Sequence, residues 1–274
     1  MSKNKDTIFA LSTPVGKSAI AVIRISGVNS FKYIKKISSS PPSTPNESKI
    51  NNLISEDGTI IDKSITTFYK APKSFTGEDM VEVSIHGGGA VIKKFIKEFK
   101  KNQRVRLAEP GEFTRRAFVN EKLDLTQVEA IADIVNAETE TQRKVAHNQL
   151  SGIFSKKTKE IYSEIKNLLA NVEAIIDFSD EDLPDGLEKK IKEQKENIIK
   201  DIDLILSQSS VGKKIRSGFS VAVIGKPNTG KSSFINHISN YNVAIVTEIP
   251  GTTTDIIESY VDIKGIPIRF FDTA

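Results

Sequence analysis

The sequence contains no cysteine among its 274 residues, which excludes disulfide bonds, thiolate nucleophiles and cysteine metal sites. Its three histidines are scattered, which argues against a zinc site built only from protein ligands. No stretch reaches 18 uncharged apolar residues, so no transmembrane helix is expected. Residues 1–6 lack the apolar run of a signal peptide.

The composition is typical of a globular chain. Apolar residues make up 38% and charged residues 27% of the sequence. The length allows two domains or three small ones and is sufficient to bury a sizeable core. The net charge of +4 comes from 39 basic and 35 acidic residues, an excess that permits a nucleic-acid partner without arguing for one.

The pattern of apolar residues and turn-forming residues divides the chain into residues 1–120, 121–215 and 216–274. The first stretch has short apolar runs broken by Gly, Pro and Ser. It predicts strands at 8–11, 19–25 and 80–85, a loop at 38–48 and a helix at 91–101. The last stretch predicts a buried strand at 219–224 and a hairpin of strands 256–263 and 266–271.

The middle stretch predicts helices almost throughout, with a break at Leu183–Gly186. Apolar residues at spacings of three and four, from Ile161 to Ile176 and from Ile191 to Ile205, predict two buried stripes. A helical bundle with a solvated Lys/Glu face is the favoured interpretation. A basic face that binds RNA is the alternative.

The strongest chemical signal is the segment Gly225–Ser232, which fits G-x-x-x-x-G-K-[ST] in full. An apolar strand precedes it and a helix can follow. Such glycine-rich loops point backbone N–H groups at phosphate oxygens, while Lys231 supplies a cation and Ser232 a hydroxyl for Mg²⁺. A glycine-rich turn without a ligand is the alternative.

Two further segments stand where a P-loop GTPase needs them. A hydroxyl in Pro250–Asp255 can complete the Mg²⁺ shell and sense the γ-phosphate. Asp272 leaves an apolar strand and matches the water-mediated Mg²⁺ partner of this class. An ordinary polar loop is the alternative for Thr252 and Thr253.

These three segments resemble the TrmE/Era type of bacterial GTPase. Upstream motifs narrow the resemblance to the MnmE (TrmE) family of tRNA modification GTPases, from Asp6 to Ala274. The motifs are Ile23–Gly27, Phe75–Asp79, His86–Gly88, Pro110–Phe118 and Lys122–Gln127.

The resemblance implies an α+β N-terminal domain (1–120) that binds 5-formyltetrahydrofolate or a related tetrahydrofolate and forms the homodimer. It also implies an all-α helical middle domain (121–215) and an incomplete α/β P-loop GTPase domain (216–274). By position, Arg24, Glu82 and Lys122 match folate contacts. The segment His86–Gly88 is either a close backbone approach to a ligand or partner, or a plain turn.

The resemblance also implies the nucleotide site and its metals. The GTP-binding positions are Asn228, Thr229, Gly230, Lys231, Ser232, Ser233, Thr247, Glu248, Ile249, Pro250, Gly251, Thr252, Thr253, Asp272, Thr273 and Ala274. Ser232 and Thr253 match Mg²⁺ ligands. Asn228, Thr247, Ile249 and Thr252 match ligands of an activating K⁺, which replaces an arginine finger in this family.

By resemblance the family modifies the wobble uridine (U34) of certain tRNAs in the cytoplasm, adding a carboxymethylaminomethyl group at C5. Its partners are tRNA and an FAD enzyme, MnmG, with which it forms a heterotetramer; no membrane is involved. This chain departs from the family pattern at Thr254, where Arg or Lys is usual. No catalytic residue is assigned here, because the guanine-reading Asn-Lys-x-Asp segment and the catalytic glutamate are absent. We therefore expect a fragment without useful GTP hydrolysis.

Three hypotheses follow. The chain belongs to a tRNA-modifying GTPase, or it acts alone as a folate-binding dimerisation module, or it is an unrelated P-loop ATPase with a helical adaptor.

Overall fold

Alternating apolar and polar residues build a six-stranded sheet in the first of two units of the chain, Met1–Leu125 and Thr126–Ala274. The computed structural model describes residues 6–177, 186–226, 229–241 and 258–272. The elements of the first unit are β1 (Thr7–Leu11), β2 (Ser18–Ser26), α1 (Ser30–Ile37), β3 (Ser48–Ile54), β4 (Ile60–Tyr69), β5 (Met80–Gly87), α2 (Gly89–Phe99), β6 (Val105–Leu107) and α3 (Glu112–Val119).

The strand order is β3-β4-β5-β2-β1-β6, with every pair antiparallel except β1 and β6. Helices α1 and α2 bury their apolar stripes in the core of the unit, where Ile34, Phe95 and Phe99 have no exposed surface. On β2, Ile23 and Ile25 face the same core, so the intervening Arg24 lies on the opposite face of the sheet.

The expected α+β class of this unit is confirmed, and the predicted strands 8–11, 19–25 and 80–85 and the helix near 91–101 are present. Five further elements, β3, β4, β6, α1 and α3, were not predicted. Strand β3 was not predicted because of its residue composition. Asn51 and Asn52 are residue types that strands usually avoid, but the buried Asn51 amide donates to Lys49 O and Thr66 Oγ1.

The structure accounts for the glycine in the middle of the His86–Gly88 segment. Gly87 pairs with Ser18 at the end of β5, and a Cβ at this position would overlap the Ser18 side chain and carbonyl oxygen. The close backbone approach is therefore made to the neighbouring strand of the same sheet.

The second unit contains the predicted helices and a small sheet. Its elements are α4 (Leu125–Val135), α5 (Glu140–Leu150), α6 (Ile153–Asp177), α7 (Leu187–Ser217), β7 (Phe219–Val223), α8 (Lys231–Tyr241), β8 (Glu258–Ile263) and β9 (Ile266–Asp272). The sheet has the order β7-β9-β8, with β7 parallel and β8 antiparallel to β9. Helix α7 begins after Gly186, whereas residues 183–185 of the predicted break lie outside the described residues.

The predicted burial of the apolar stripe on α6 is wrong. Ile165, Leu169 and Ile176 are 45%, 54% and 68% exposed, and α6 has no fully buried residue. The helix packs mainly on α7, where Lys157 pairs with Asp201 at 2.6 Å, and one partner helix covers only part of the stripe. Within the described residues, none of the helices is long and apolar enough to span a membrane.

The turn between β8 and β9 is joined to the helices of this unit. Thr139 forms a capping box with Gln142 at the start of α5, and its Oγ1 donates to the Gly265 carbonyl at 3.1 Å. Gln142 Nε2 donates to the Arg216 carbonyl at the end of α7 at 3.1 Å. A Cβ at residue 265 would overlap the Thr141 side chain, so the close contact requires glycine there. At residue 218 a Cβ would lie 2.5 Å from the Pro267 carbonyl oxygen.

Candidate functional site

The glycine-rich segment lies between β7 and α8, as its sequence predicts. Gly230 has a left-handed backbone with φ +86°, which lets the chain turn into the helix. Lys231 Nζ donates to the carbonyl oxygens of Gly225 and Lys226, both at 3.0 Å. The ammonium group is therefore held near the end of β7, close to the N-terminus of α8, where backbone N–H groups and the helix dipole favour an anion.

Asp272 lies beside the strand that leads into this loop. The parallel pairing of β7 and β9 sets Val223 opposite Asp272, so both strands end at the same edge of the sheet. Helix α8 packs on this sheet through Ile235, which contacts a core containing Val261 and Phe270. The local spacing of the motif and the strand register together position the glycine-rich segment and an acidic residue at one edge, the usual ligand position in open α/β sheets.

Most of the predicted nucleotide and metal positions lie outside the described residues. These are Asn228, Thr247, Glu248, Ile249, Pro250, Gly251, Thr252, Thr253, Thr273 and Ala274. The described backbone includes Thr229, Gly230, Lys231, Ser232, Ser233 and Asp272. Their roles remain predictions.

Two of the three predicted folate residues are in direct contact. Arg24 on β2 and Glu82 on β5 are register partners, and Arg24 Nε and Nη2 both donate to Glu82 Oε1, at 2.9 and 2.8 Å. Both side chains are about one-quarter exposed. The other carboxylate oxygen, Oε2, accepts a long bond of 3.5 Å from the Tyr69 hydroxyl on β4. Burial, and then the Glu82 charge, raise the pKa of Tyr69, which keeps the phenol a donor.

Two aromatic rings fix the guanidinium of this pair. Arg24 Cζ lies 5.0 Å from the centre of the Phe75 ring and 5.9 Å from that of Phe113. Cation–π attraction and the flat ring faces restrict the orientation of the guanidinium. The result is a surface row of phenol, carboxylate and guanidinium that presents donors and acceptors to a planar polar ligand.

A buried ion network holds the segments that carry these rings. Arg116 on α3 bonds to Asp6 at 2.8 Å, to Glu78 at 3.1 Å and to Glu112 at 3.1 Å, and Arg106 bonds to Glu112 at 2.6 Å. Burial opposes ionisation of Glu112, but the two guanidinium groups and the Glu109 backbone N–H lower its pKa to about 2. The network joins the segment 75–79 to α3 through the Arg116–Glu78 pair. This explains why charged residues occur in both of the sequence motifs there, Phe75–Asp79 and Pro110–Phe118.

Lys122 borders the same segment. Its side chain lies against Gly77, where an added Cβ would be 3.0 Å from Lys122 Cγ, and the Asn120 amide donates to the Thr76 carbonyl at 2.7 Å. Lys122 is exposed. All three predicted folate residues therefore adjoin the segment 75–82.

An open groove of about 420 Å³ lies elsewhere, between α6 and α7, and is lined by amide and charged side chains. It contains none of the predicted site residues. No group of three His, Asp or Glu side chains suited to a metal ion occurs within the described ranges.

Comparison with known proteins decides the family. Residues 7–122 match the family model "GTP-binding protein TrmE N-terminus", and residues 125–268, more than half of the chain, match "MnmE helical domain". The chain belongs to the MnmE family. The "tRNA modification GTPase MnmE" of Pelagibacter ubique (strain HTCC1062) is 44% identical, and those of Aquifex aeolicus (strain VF5) and Clostridioides difficile (strain 630) are 42% identical.

These alignments cover 98% of this chain but only 60–61% of each MnmE relative. The two matched ranges agree with an N-terminal domain followed by a helical domain, and the helical-domain match continues through residue 268, into the predicted G-domain segment. The expected family and fold class are therefore confirmed.

Sequence reasoning did not identify Tyr69, Phe75 or Phe113 as neighbours of Arg24. Phe75 and Phe113 stand inside the two quoted motifs and could have been singled out there. Tyr69 has no motif, and only the register of β4 on β5, which aligns it with Met80, brings it near Glu82.

Proposed function

We propose that the chain acts in GTP-dependent modification of the wobble uridine (U34) of tRNA. In this proposal a carboxymethylaminomethyl group is added at C5, with a folate as one-carbon donor and an MnmG-type FAD enzyme as partner in the cytoplasm. The observation that carries it is the coincidence of family membership with a phosphate loop and an acidic strand end at one sheet edge.

The nucleotide part of the proposal assigns roles to this edge. Lys231 pairs with the β- and γ-phosphates, and the backbone N–H groups of the loop donate to their oxygens. Ser232 and Thr253 would hold Mg²⁺, which neutralises phosphate charge. Asn228, Thr247, Ile249 and Thr252 would hold K⁺, with Ile249 acting through its carbonyl. The fit at Lys231 is supported by its ammonium, which already rests on two loop carbonyls.

The folate part rests on the Arg24–Glu82 row. Glu82 Oε2, whose one hydrogen bond among the described residues is the long bond from Tyr69, can accept N–H groups from the edge of a pterin. Arg24 and Lys122 are suited to the anionic glutamate tail. We propose that the same unit forms the homodimer.

A second candidate function is favoured by the completeness of the first unit. Its six-stranded sheet and helices α1 and α2 share one apolar core. A folate-binding dimerisation module would therefore need nothing from the nucleotide site. Membership of the MnmE family stands against the third hypothesis, an unrelated P-loop ATPase.

Calorimetric titration of the 274-residue chain tests the proposal. The ligands are 5-formyltetrahydrofolate and, in parallel, GTP with Mg²⁺ in K⁺ or Na⁺ buffer. Binding of both ligands supports the proposal, and folate binding alone supports the second candidate. Glu82→Gln should weaken folate binding at least 10-fold, whereas the exposed control Glu109→Gln should not. Binding of neither ligand would reject both functions for this chain.

A further inference from the structure

The positive charge of the chain is concentrated on α1 and on α2 together with the turn that follows α2. Residues 30–37 and 89–104 contain nine basic residues and one acidic residue, a net charge of +8, whereas the whole chain has +4. The other 250 residues therefore carry 30 basic and 34 acidic residues, a net charge of −4. A lysine-rich composition alone would spread the excess along the chain, so this distribution is specific to α1, α2 and the turn at residues 100–104.

The two helices form one surface. Their apolar sides share the core, the Tyr33 and Phe99 rings meet edge to face at 6.5 Å, and the Tyr33 hydroxyl donates to the Gln103 carbonyl at 2.6 Å. Their basic side chains point away from this core. We call this surface the basic face; its members are Lys32, Lys35, Lys36, Lys93, Lys94, Lys97, Lys100, Lys101 and Arg104.

Within the part of the chain that the structure describes, most of these cations have no carboxylate partner. Lys94 pairs with Asp57 at 3.3 Å, and Lys101 pairs with Glu56 and Glu98 at 3.1 and 3.0 Å. Among the described residues, no ion pair involves the other seven, and all seven are exposed. This is a surface with uncompensated charge, which natural proteins commonly use for anionic partners.

The spacing of the cations suits a repeating anion. Lys93, Lys97 and Lys100 follow one another at four and three residues, so they form one stripe along α2 with steps of about 5–6 Å. On α1 the Lys35 ammonium lies 4.4 Å from the centre of the Phe31 ring, and that of Lys36 lies 5.5 Å from the Tyr33 ring. The aromatic rings restrict where these two charges can move.

We propose that the basic face binds RNA through its phosphate backbone and thereby holds the tRNA substrate on the first unit. The inference rests on the proposed function for its partner, and it assigns to α1 and α2 a role separate from the folate row, which lies on the other face of the sheet. Lysines as point charges favour phosphate contacts over base reading, so binding should depend strongly on salt and little on sequence.

The test is fluorescence anisotropy of labelled bulk tRNA with the full 274-residue chain over a range of KCl concentrations. Lys93→Gln/Lys97→Gln/Lys100→Gln should weaken binding at least 10-fold at low salt. It should also lower the slope of log K against log salt by about 2–3, because each lost phosphate contact removes about 0.7–0.9. The matched control is Lys190→Gln/Lys192→Gln/Lys195→Gln on α7, which removes the same charge from exposed positions. Far-ultraviolet circular dichroism confirms that both variants are folded.

Three outcomes overturn the inference: no tRNA binding at low salt, equal losses in the two variants, or competition by polyglutamate as effective as that by unlabelled tRNA. Folate titration of the α2 variant separates the two proposals. Retained folate binding with lost tRNA binding supports the basic face. Lost folate binding with retained tRNA binding would show that α2 acts on the folate row instead.

Discussion

Replacing Glu112 by glutamine isolates one charge in the buried ion network and gives the sharpest stability prediction. The Glu112 side chain has no exposed surface and accepts from Arg106 and Arg116. Its pKa falls from 4.5 to about 2, a difference that corresponds to about 3 kcal/mol of stability at neutral pH. Since Glu112→Gln leaves two guanidinium groups with one fewer anion, we expect it to lower the free energy of unfolding at pH 7 by about 2–4 kcal/mol.

The pH dependence of the free energy of unfolding gives a second, independent prediction for the same substitution. A carboxylate with a lowered pKa contributes its full stabilisation above its unfolded value of 4.5 and loses it as the pH falls toward its folded value of about 2. Between pH 7 and pH 3.5 the wild type should therefore lose about 1.4 kcal/mol that the glutamine variant does not lose. The stability gap between the two proteins should narrow by that amount.

Urea titration with pulsed hydrogen exchange measures this effect within one unit. Samples are equilibrated at pH 7 or 3.5, pulsed briefly at one fixed pH, and read by mass spectrometry on peptides from β2 and β5. Glu109→Gln is the matched control, since Glu109 is 63% exposed and its carboxylate pairs with the exposed Arg115. The control should change stability by less than about 0.5 kcal/mol. A Glu112→Gln effect equally small, or a gap that stays constant with pH, would refute the reasoning.

Three further predictions concern single contacts. Gly87→Ala should destabilise the first unit by about 2–4 kcal/mol because its Cβ would overlap backbone of Ser18, whereas Gly89→Ala, with nothing within 4 Å, should be neutral or stabilising; the same urea assay separates them. Gly265→Ala should increase hydrogen exchange in both α5 and the β8–β9 turn, because the added Cβ would overlap Thr141. Unchanged exchange would contradict the close contact between the turn and α5. Arg24→Lys should lower folate affinity at least 10-fold in calorimetry without changing urea stability by more than about 1 kcal/mol, since lysine cannot reproduce the stacked, two-nitrogen contact; equal affinity would remove Arg24 from the site.

The parts of the molecule that could be predicted from the sequence are those set by local spacing. The placement of the glycine-rich segment between a strand and a helix could be predicted because its glycines, Lys231 and the preceding apolar strand are adjacent in the chain. Helix α3 was missed because its buried side is held by the charges of Glu112 and Arg116 rather than by an apolar stripe. The contact between Arg24 and Glu82 joins residues 58 positions apart, and only the register of β2 on β5 creates it.

The exposed apolar stripe on α6 shows what local spacing cannot predict, which is the burial of a helical face. The spacing of Ile165, Leu169 and Ile176 correctly indicates one helical face, but spacing carries no information about how many neighbours cover that face. Burial is a property of the partners. It could not be deduced from the helix alone.

Strand β9 has a consequence for how force passes through the second unit. Its second residue, Pro267, lies against Gly218, and the turn before it contacts Thr141 at Gly265. Its last residue, Asp272, lies at the edge where the glycine-rich segment begins. Seven residues of strand span about 20 Å and do not stretch. We therefore expect a force on Asp272 along the strand to reach the α5 cap through the Gly265–Thr139 hydrogen bond, so that the helices respond to strain at the edge that holds the glycine-rich segment.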